Sequence, residues 1–539
     1  MGAAAGDSLT WRMPPMNMEM PMMPGMKGAT PIVSPFLPGE GMDASALPEA
    51  KPRVVRELAD GDTLALTAEL VRRTINGRTF VMYGYNQQYP GPLIKVERGS
   101  TIIVEFTNEV EMPTTVHWHG LRLENRFDGI PFVTQDPVEV GDSFTYEVYF
   151  RDTGIYWYHP HMREDIQQDL GLYGNMLVDP QRADYYSPVN QEEVVILDDI
   201  LLDDNGMLPW GKEASIHTLM GRFGNVMLVN GRTEYTLDVD RGEVVRFFLT
   251  NVANTRTFNV TFGGAPIKIV ASDVSKYERE EWVSSVPIAP AERYVVEVRF
   301  DEAGTVPITN SIQAINHFRG EFVPHVDTLG TVQVSDTPAD PDYAEHFQTL
   351  RENEDVQQDI AAYEQYFDKP VDHRLELTVR VDDLPLPIMR AMEVDTLYVP
   401  PIEWNDAMPM MNWISSAEQV EWILRDRDTG RENDEIHWSF EQGDVVKIRI
   451  FNTPESFHPM NHPIHIHGQR YLVLSIDGEP NPNLVWKDTA LVPVGSTMEV
   501  LVDMSNPGDW MLHCHIAEHL EAGMMFTFSV DGEFSRSSP

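Results

Sequence analysis

At 539 residues the chain is too long for one ordinary core and suits about three domains of ~150 to 200 residues each. Acidic residues outnumber basic ones by 84 to 40, a formal charge of −44 that excludes a nucleic-acid or anionic-membrane surface, and no run of ~18 apolar residues is present to span a bilayer. The single cysteine, Cys514, excludes an intrachain disulfide, so bridges say nothing of the redox compartment.

The first ten residues lack the basic start and apolar stretch of an export signal, so a signal was either removed or never there. We expect a secreted or periplasmic protein. The acidic excess suits a saline habitat or an attraction for cationic amines and metal ions. Residues 1–52 read as an N-terminal arm, in which seven methionines fall between Met13 and Met26 among Pro and Gly, too irregular for a helix or strand. A loosely ordered arm is the plain reading, but these thioethers, like those of Met408, Met410 and Met411, also suit Cu(I).

Strands follow. Thr101–Phe106 and Ser143–Phe150 alternate with period 2 and are rich in β-branched and aromatic residues, as in sandwich-like domains. One unit of a Gly, a strand and an Asn recurs as Gly99–Asn108, Gly242–Asn251 and Gly443–Asn452, which implies three similar domains. Their expected extents are 53–182, 190–335 and 371–533. Between the last two, Asp336–Asp342 reads as a loop and Tyr343–Phe367 as a surface helix with sparse apolar residues, making 336–370 a linker.

Ten of the 17 histidines lie in four tight clusters. These are His117-Trp118-His119-Gly120, His159-Pro160-His161, His462-Pro463-Ile464-His465-Ile466-His467-Gly468, and His513-Cys514-His515 with His519. An HxHG follows the repeated unit in the first and third copies, and Gly154 precedes His159 as Gly508 precedes His513, so domains one and three offer matching half-sites. On a strand the two imidazoles of an HxH share a face about 7 Å apart and can grip two adjacent metals. Four such pairs supply eight imidazoles, enough for three metals. Cys514 must point to the opposite face and serve a different metal. His462, His519 and Met524 complete two imidazoles, a thiolate and a thioether, a blue-copper set. Closed zinc sites favour several cysteines at short spacing, which this chain lacks. His217, His317, His325, His346, His373 and His437 read as ordinary core or surface residues.

From Arg53 to Val530 the chain resembles the multicopper oxidase family, which includes laccases, bilirubin oxidases and cuprous oxidases, in its HWHG, HxH, HPxHxHG and HCHxxxHxxxxM motifs. The resemblance implies an all-β fold of three cupredoxin-like Greek-key β-sandwich domains, with four coppers. His462, Cys514, His519 and Met524 would hold the type 1 ion, and His117 with His465 the type 2 ion. His119, His159, His161, His467, His513 and His515 would hold the type 3 pair. Pro160 stands where domain one aligns with Cys514, and the middle domain has neither motif, so one type 1 site is expected, in domain three.

An electron entering beside His462 would pass from Cys514 through His513 and His515 to a cluster that reduces O2 to water. Glu518 and Asp128, in the DGIP loop, look like the acidic residues that assist oxygen reduction in related enzymes; Asp488 is a weaker neighbour of the ligands. The expected partners are O2 and a small-molecule electron donor. A laccase-like oxidase of phenols and aromatic amines leads. The alternatives are a cuprous oxidase in copper homeostasis, a copper-free scaffold and, less favoured, a copper nitrite reductase.

Overall fold

The computed structural model describes residues 36–203, 206–207, 209–210, 214–316, 321–381, 402–403 and 420–536. The methionines between Met13 and Met26, together with Met408, Met410, Met411 and His317, lie outside the described residues.

Besides a two-stranded ribbon, Leu202–Asp203 with Gly206–Met207, the described strands form three pairs of sheets: four- and five-stranded in the first domain, two of six strands in the second, seven- and five-stranded in the third. Alternation drives this. In the strand Thr101–Glu109, Ile102, Val104 and Phe106 are buried while Glu105 and Glu109 are exposed. Each pair of sheets closes on its own apolar core, around Leu66, Trp118 and Trp157 in the first, Phe247 and Phe258 in the second, and Trp422 and Trp510 in the third.

The repeated unit plays one structural role three times. Its strand pairs in parallel with an earlier strand in every domain: Thr101–Glu109 with Thr63–Ile75, Val244–Asn251 with Gln191–Ile200, and Asp444–Asn452 with His373–Val381. Parallel neighbours cannot be joined by a tight turn, so the chain must cross to the facing sheet and return, as in a Greek key. The leading glycines have φ of +90°, +92° and +95°, a region that side-chain-bearing residues avoid. At the other end, Asn108, Asn251 and Asn452 are buried, and each side-chain amide donates to two carbonyls of the next loops: those of Met112 and Val138, Arg256 and Ile288, and Met460 and Val492. The Asn therefore satisfies loop carbonyls that would otherwise be buried without a donor.

The linker differs from the expected single surface helix. It forms two short helices, Ala344–Gln348 and Glu354–Ala361, and a 3-10 turn, Glu364–Tyr366. Its few apolar residues are not a solvent face: Val356 and Ile360 pack with Val274 of the second domain and Leu472, Leu484 and Trp486 of the third. Lys276–Asp355 at 3.0 Å and Arg470–Asp359 at 2.6 Å add ion pairs from both sides. No described helix is long and apolar enough to cross a membrane.

Candidate metal centre

In the first domain, β1 (His117–His119) pairs antiparallel with β2 (Gly154–His159), placing His117 opposite His159; helix α1 (Glu164–Gln167) follows. The second domain contributes helix α2 (Ala214–Met220). In the third, β3 (His462–Ile466) pairs with β4 (Gly508–Cys514), placing His465 opposite His513 and Ile464 opposite Cys514, and helix α3 (Ala517–Glu521) follows at once. These are equivalent hairpin-like pairs of strands brought face to face.

The imidazoles from the two ends of the chain meet. The rings of His119 and His465 stack with centroids 3.9 Å apart, those of His117 and His467 lie at 4.2 Å, and those of His161 and His513 at 5.2 Å. Ligand atoms of His117, His119 and His465 converge, as do those of His119, His159 and His515, and those of His161, His467 and His513. Side-chain alternation along β4 sends Cys514 the other way, where it meets His462 and His519.

The hydrogen bonds show which nitrogens are free to bind. His117, His159, His465 and His513 donate from Nδ1 to the carbonyls of Asp128, Pro160, Asp488 and Cys514 at 2.8 to 2.9 Å. A carbonyl only accepts, so in the neutral ring the proton sits on Nδ1 and Nε2 carries a bare lone pair. Among the described residues, Nε2 of His117, His159, His161, His465 and His515 is buried with no hydrogen-bond partner. Nε2 of His467 and Nε2 of His513 face each other at 2.9 Å while Nδ1 of His467 is held by Asp128 at 3.0 Å. Two lone pairs pointed at each other repel unless a cation lies between them. Burial, reinforced by the neighbouring imidazoles, also holds His119, His159, His161, His465, His467 and His515 well below the usual histidine range, in the neutral form that coordinates.

The second site fits a single ion equally well. Cys514 Sγ is 3.5 Å from His462 Nδ1 and 3.8 Å from His519 Nδ1, and the two nitrogens are 3.3 Å apart. The point equidistant from these three atoms lies ~2 Å from each, close to metal–imidazole and metal–thiolate bond lengths of about 2.0 to 2.3 Å. Burial pushes the Cys514 thiol up, so it needs a cation to become a thiolate. Met524 is fully buried, and its backbone carbonyl accepts from the Cys514 amide at 3.1 Å. Trp422 stacks on the His519 ring with centroids 3.9 Å apart and donates from Nε1 to the Thr218 carbonyl of α2 at 2.7 Å. His462 is only 1 % exposed, so protein covers the edge beside which the electron was expected to enter.

Each expected acidic residue is buried in its own setting. The Asp128 carboxylate lies 3.0 Å from His467 Nδ1 and 3.4 Å from His117 Nδ1, under one imidazole from each end of the chain. Glu518, on α3, accepts from Asn254 at 3.1 Å and the Thr255 hydroxyl at 3.0 Å, both second-domain residues. Burial raises its pKa to about 7. Asp488 lies 3.2 Å from His119 Nε2, accepts from Thr489, and is gripped by both terminal nitrogens of Arg293 at 2.5 and 2.6 Å.

Sequence reasoning missed Arg293, Asn254, Thr255 and Glu164. The first three belong to the middle domain, which carries no histidine motif and so drew no attention. Arg293 is fully buried, also donates to the Ile155 carbonyl of β2 at 3.2 Å, and thereby joins all three domains beside the cluster. The Gly120 of the first HxHG is needed here: a Cβ would meet Asp488 Oδ2 at 2.5 Å and Arg293 at 2.6 Å. Glu164 lies 3.3 Å from His161 Nδ1, and burial pushes its carboxyl well above the usual range. Its position three residues after His161, at the start of a helix, was the one available signal.

Models of the multicopper oxidase family match residues 68–183, 183–329 and 391–533. The chain is 26% identical to multicopper oxidase MmcO of Mycobacterium tuberculosis, over 86% of each chain, and 26% identical to laccase-1 of Fomitopsis schrenkii, over 82% of each. A multicopper oxidase structure from Pseudomonas Thermotolerans shares the fold, with a TM-score of 0.62 and 24% identity, covering 89% of this chain and all of that one. All three domains are thus cupredoxin-like, and the donor set fits the family's four coppers. Three consecutive family matches around convergent imidazole clusters and a lone buried cysteine make this chain a member of the multicopper oxidase family, a copper-dependent oxidoreductase that uses O2.

Proposed function

We propose that the protein is a laccase-like oxidase that removes single electrons from phenols or aromatic amines. His462, Cys514 and His519, with the thioether of Met524, hold the type 1 copper. His117 and His465 hold the type 2 ion, and His119, His159, His161, His467, His513 and His515 the type 3 pair. The observation that carries this reading is the position of Cys514, whose sulfur faces one site while its two flanking residues face the other. When bound, the coppers supply one-electron acceptance at the first site and four-electron reduction of O2 at the second.

The chain's own contribution is placement. Peptide bonds on either side of Cys514 give a covalent path to His513 and His515. Asp128 orients His467 and His117 through their Nδ1 atoms, so it acts as a positioning residue. Glu518 keeps a proton near neutral pH, and we assign it the role of proton reservoir for water formation. With His462 buried, the donor's electron crosses protein to reach the site, which demands little shape specificity of the donor. The likeness to a relative named laccase supports this substrate class. We further propose a secreted or periplasmic location.

The seven methionines between Met13 and Met26 favour one second reading, a cuprous oxidase, because thioethers select Cu(I). Oxygen uptake by the copper-loaded protein, supplied in turn with a phenol, an aromatic amine, bilirubin and Cu(I), decides between them. Turnover confined to Cu(I) would displace the laccase-like reading, and no uptake with any donor would end both.

A further inference from the structure

We infer that a compact multivalent oxyanion, such as sulfate or inorganic phosphate, binds in a cleft between the first and second domains that shares no residue with the copper sites. The cleft is about 410 Å³, and four cationic side chains line it: Lys51, Arg53, Arg73 and Arg232. They come from separate places in the chain. Lys51 and Arg53 precede the first long strand, Arg73 lies on the strand Thr63–Ile75, and Arg232 lies in the turn after Val226–Val229. In a chain with 84 acidic residues and only 40 basic ones, four cations gathered without carboxylate partners need a reason. Among the described residues, none of the four has a carboxylate oxygen within ion-pair distance. Glu49, the one acid in the lining, pairs instead with Arg72 at 3.5 Å. Glu193, near enough to act on Arg53, accepts from the Tyr235 hydroxyl at 3.3 Å.

The guanidinium groups hydrogen-bond to neutral partners, and Glu193 acts on Arg53 only through space. Arg53 donates through Nη2 to the Val194 carbonyl, and Arg73 through Nη2 to the Gly231 carbonyl. Arg73 also lies flat over the Tyr89 ring, 3.4 Å from its centroid. Nη1 of Arg53 is buried and has no hydrogen-bond partner. A charged donor shut away from bulk water is among the costlier groups to leave unmatched; Glu193 eases that cost through space and Arg232 adds to it. An oxyanion with several acceptor oxygens would bring Arg232 and Lys51 together beside the Arg53 and Arg73 guanidinium groups and tie the two domains. The protein's overall negative charge does not forbid this, because at physiological salt its field is screened beyond about 8 Å.

The test is calorimetric titration of the copper-loaded enzyme with sodium sulfate, and separately with phosphate, against sodium chloride at equal ionic strength. We expect one saturable site for the oxyanions and none for chloride, with affinity reduced about tenfold in Arg232→Ala and lost in Arg53→Met combined with Arg232→Ala. Sulfate that saturates the wild type should raise its melting temperature by ~2 °C, with a smaller shift in Arg232→Ala and none in the double variant, and with oxygen-uptake rates unchanged. Should the double variant fail to fold, Arg232→Ala carries the test alone, since Arg232 is exposed. A sulfate response equal in wild type and variant, or one reproduced by chloride, is general salting-out and overturns the proposal.

Discussion

Replacing Arg293 by Met leaves the carboxylate of Asp488 fully buried without the two hydrogen bonds of 2.5 and 2.6 Å that neutralise it. The Thr489 hydroxyl at 2.8 Å, the His119 ring at 3.2 Å and the His465 ring at 3.6 Å remain beside it, and the Ile155 carbonyl also loses its 3.2 Å donor. Breaking a buried ion pair from one side costs about 3 to 5 kcal/mol. The penalty should depend on pH. Burial already raises the Asp488 carboxyl, and removing Arg293, which lowers it, raises it further. The variant therefore escapes part of the cost by protonating Asp488 at acid pH, and its deficit grows as pH rises. Guanidinium unfolding of the copper-free protein at pH 5 and pH 8, wild type against variant, measures both quantities. Adding Asp488→Leu to Arg293→Met should recover at least ~2 kcal/mol, because two apolar groups replace the pair. The same double variant should bind less than its full complement of copper, because His119 has lost its carboxylate partner. A loss below ~1 kcal/mol, a loss independent of pH, or a double variant no more stable than the single one would refute the reasoning.

Glu518 supplies a second pH-dependent prediction. Its folded pKa of about 7 stands above the ordinary carboxyl value of 4.5, so the folded state holds the proton more tightly and loses stability as pH rises between the two. In copper-free Glu518→Gln that loss is absent, so the variant should gain on the wild type by up to about 3 kcal/mol from pH 4 to pH 8, read from unfolding midpoints. A constant difference across that range would count against the assignment. In Cys514→Ser, the loaded protein should lose its blue absorption and its oxygen uptake while its far-ultraviolet circular dichroism stays unchanged. A variant that remains blue would remove Cys514 from the site.

Local geometry explains what could be read along the chain. Period-2 alternation alone placed the imidazoles of each HxH on one face and Cys514 on the other, and the structure has His513 and His515 among the clustered imidazoles and Cys514 with His462 and His519. The repeated Gly and Asn were visible as a pattern, and their reasons are equally local: a positive φ at one end and two loop carbonyls to satisfy at the other. The extent of the linker helix was misread because sparse apolar residues on a short segment look the same whether they face solvent or, like Val356 and Ile360, fill a seam between two domains.

By itself, then, the amino-acid order determined the family, the strand periodicity and the identity of the clustered donors, since each depends on neighbours a few positions apart. Only the tertiary structure decided which imidazoles face each other, which nitrogen of each ring stays bare, and that a middle domain without histidine motifs reaches the cluster through Arg293, Asn254 and Thr255. The contacts of Arg293 with Ile155 and Asp488, and of Asn254 and Thr255 with Glu518, join residues from 138 to 264 positions apart in the chain. They follow from how three separate cores pack together and bury their polar groups in mutual contact, a balance of nonlocal burial that no short stretch of sequence encodes.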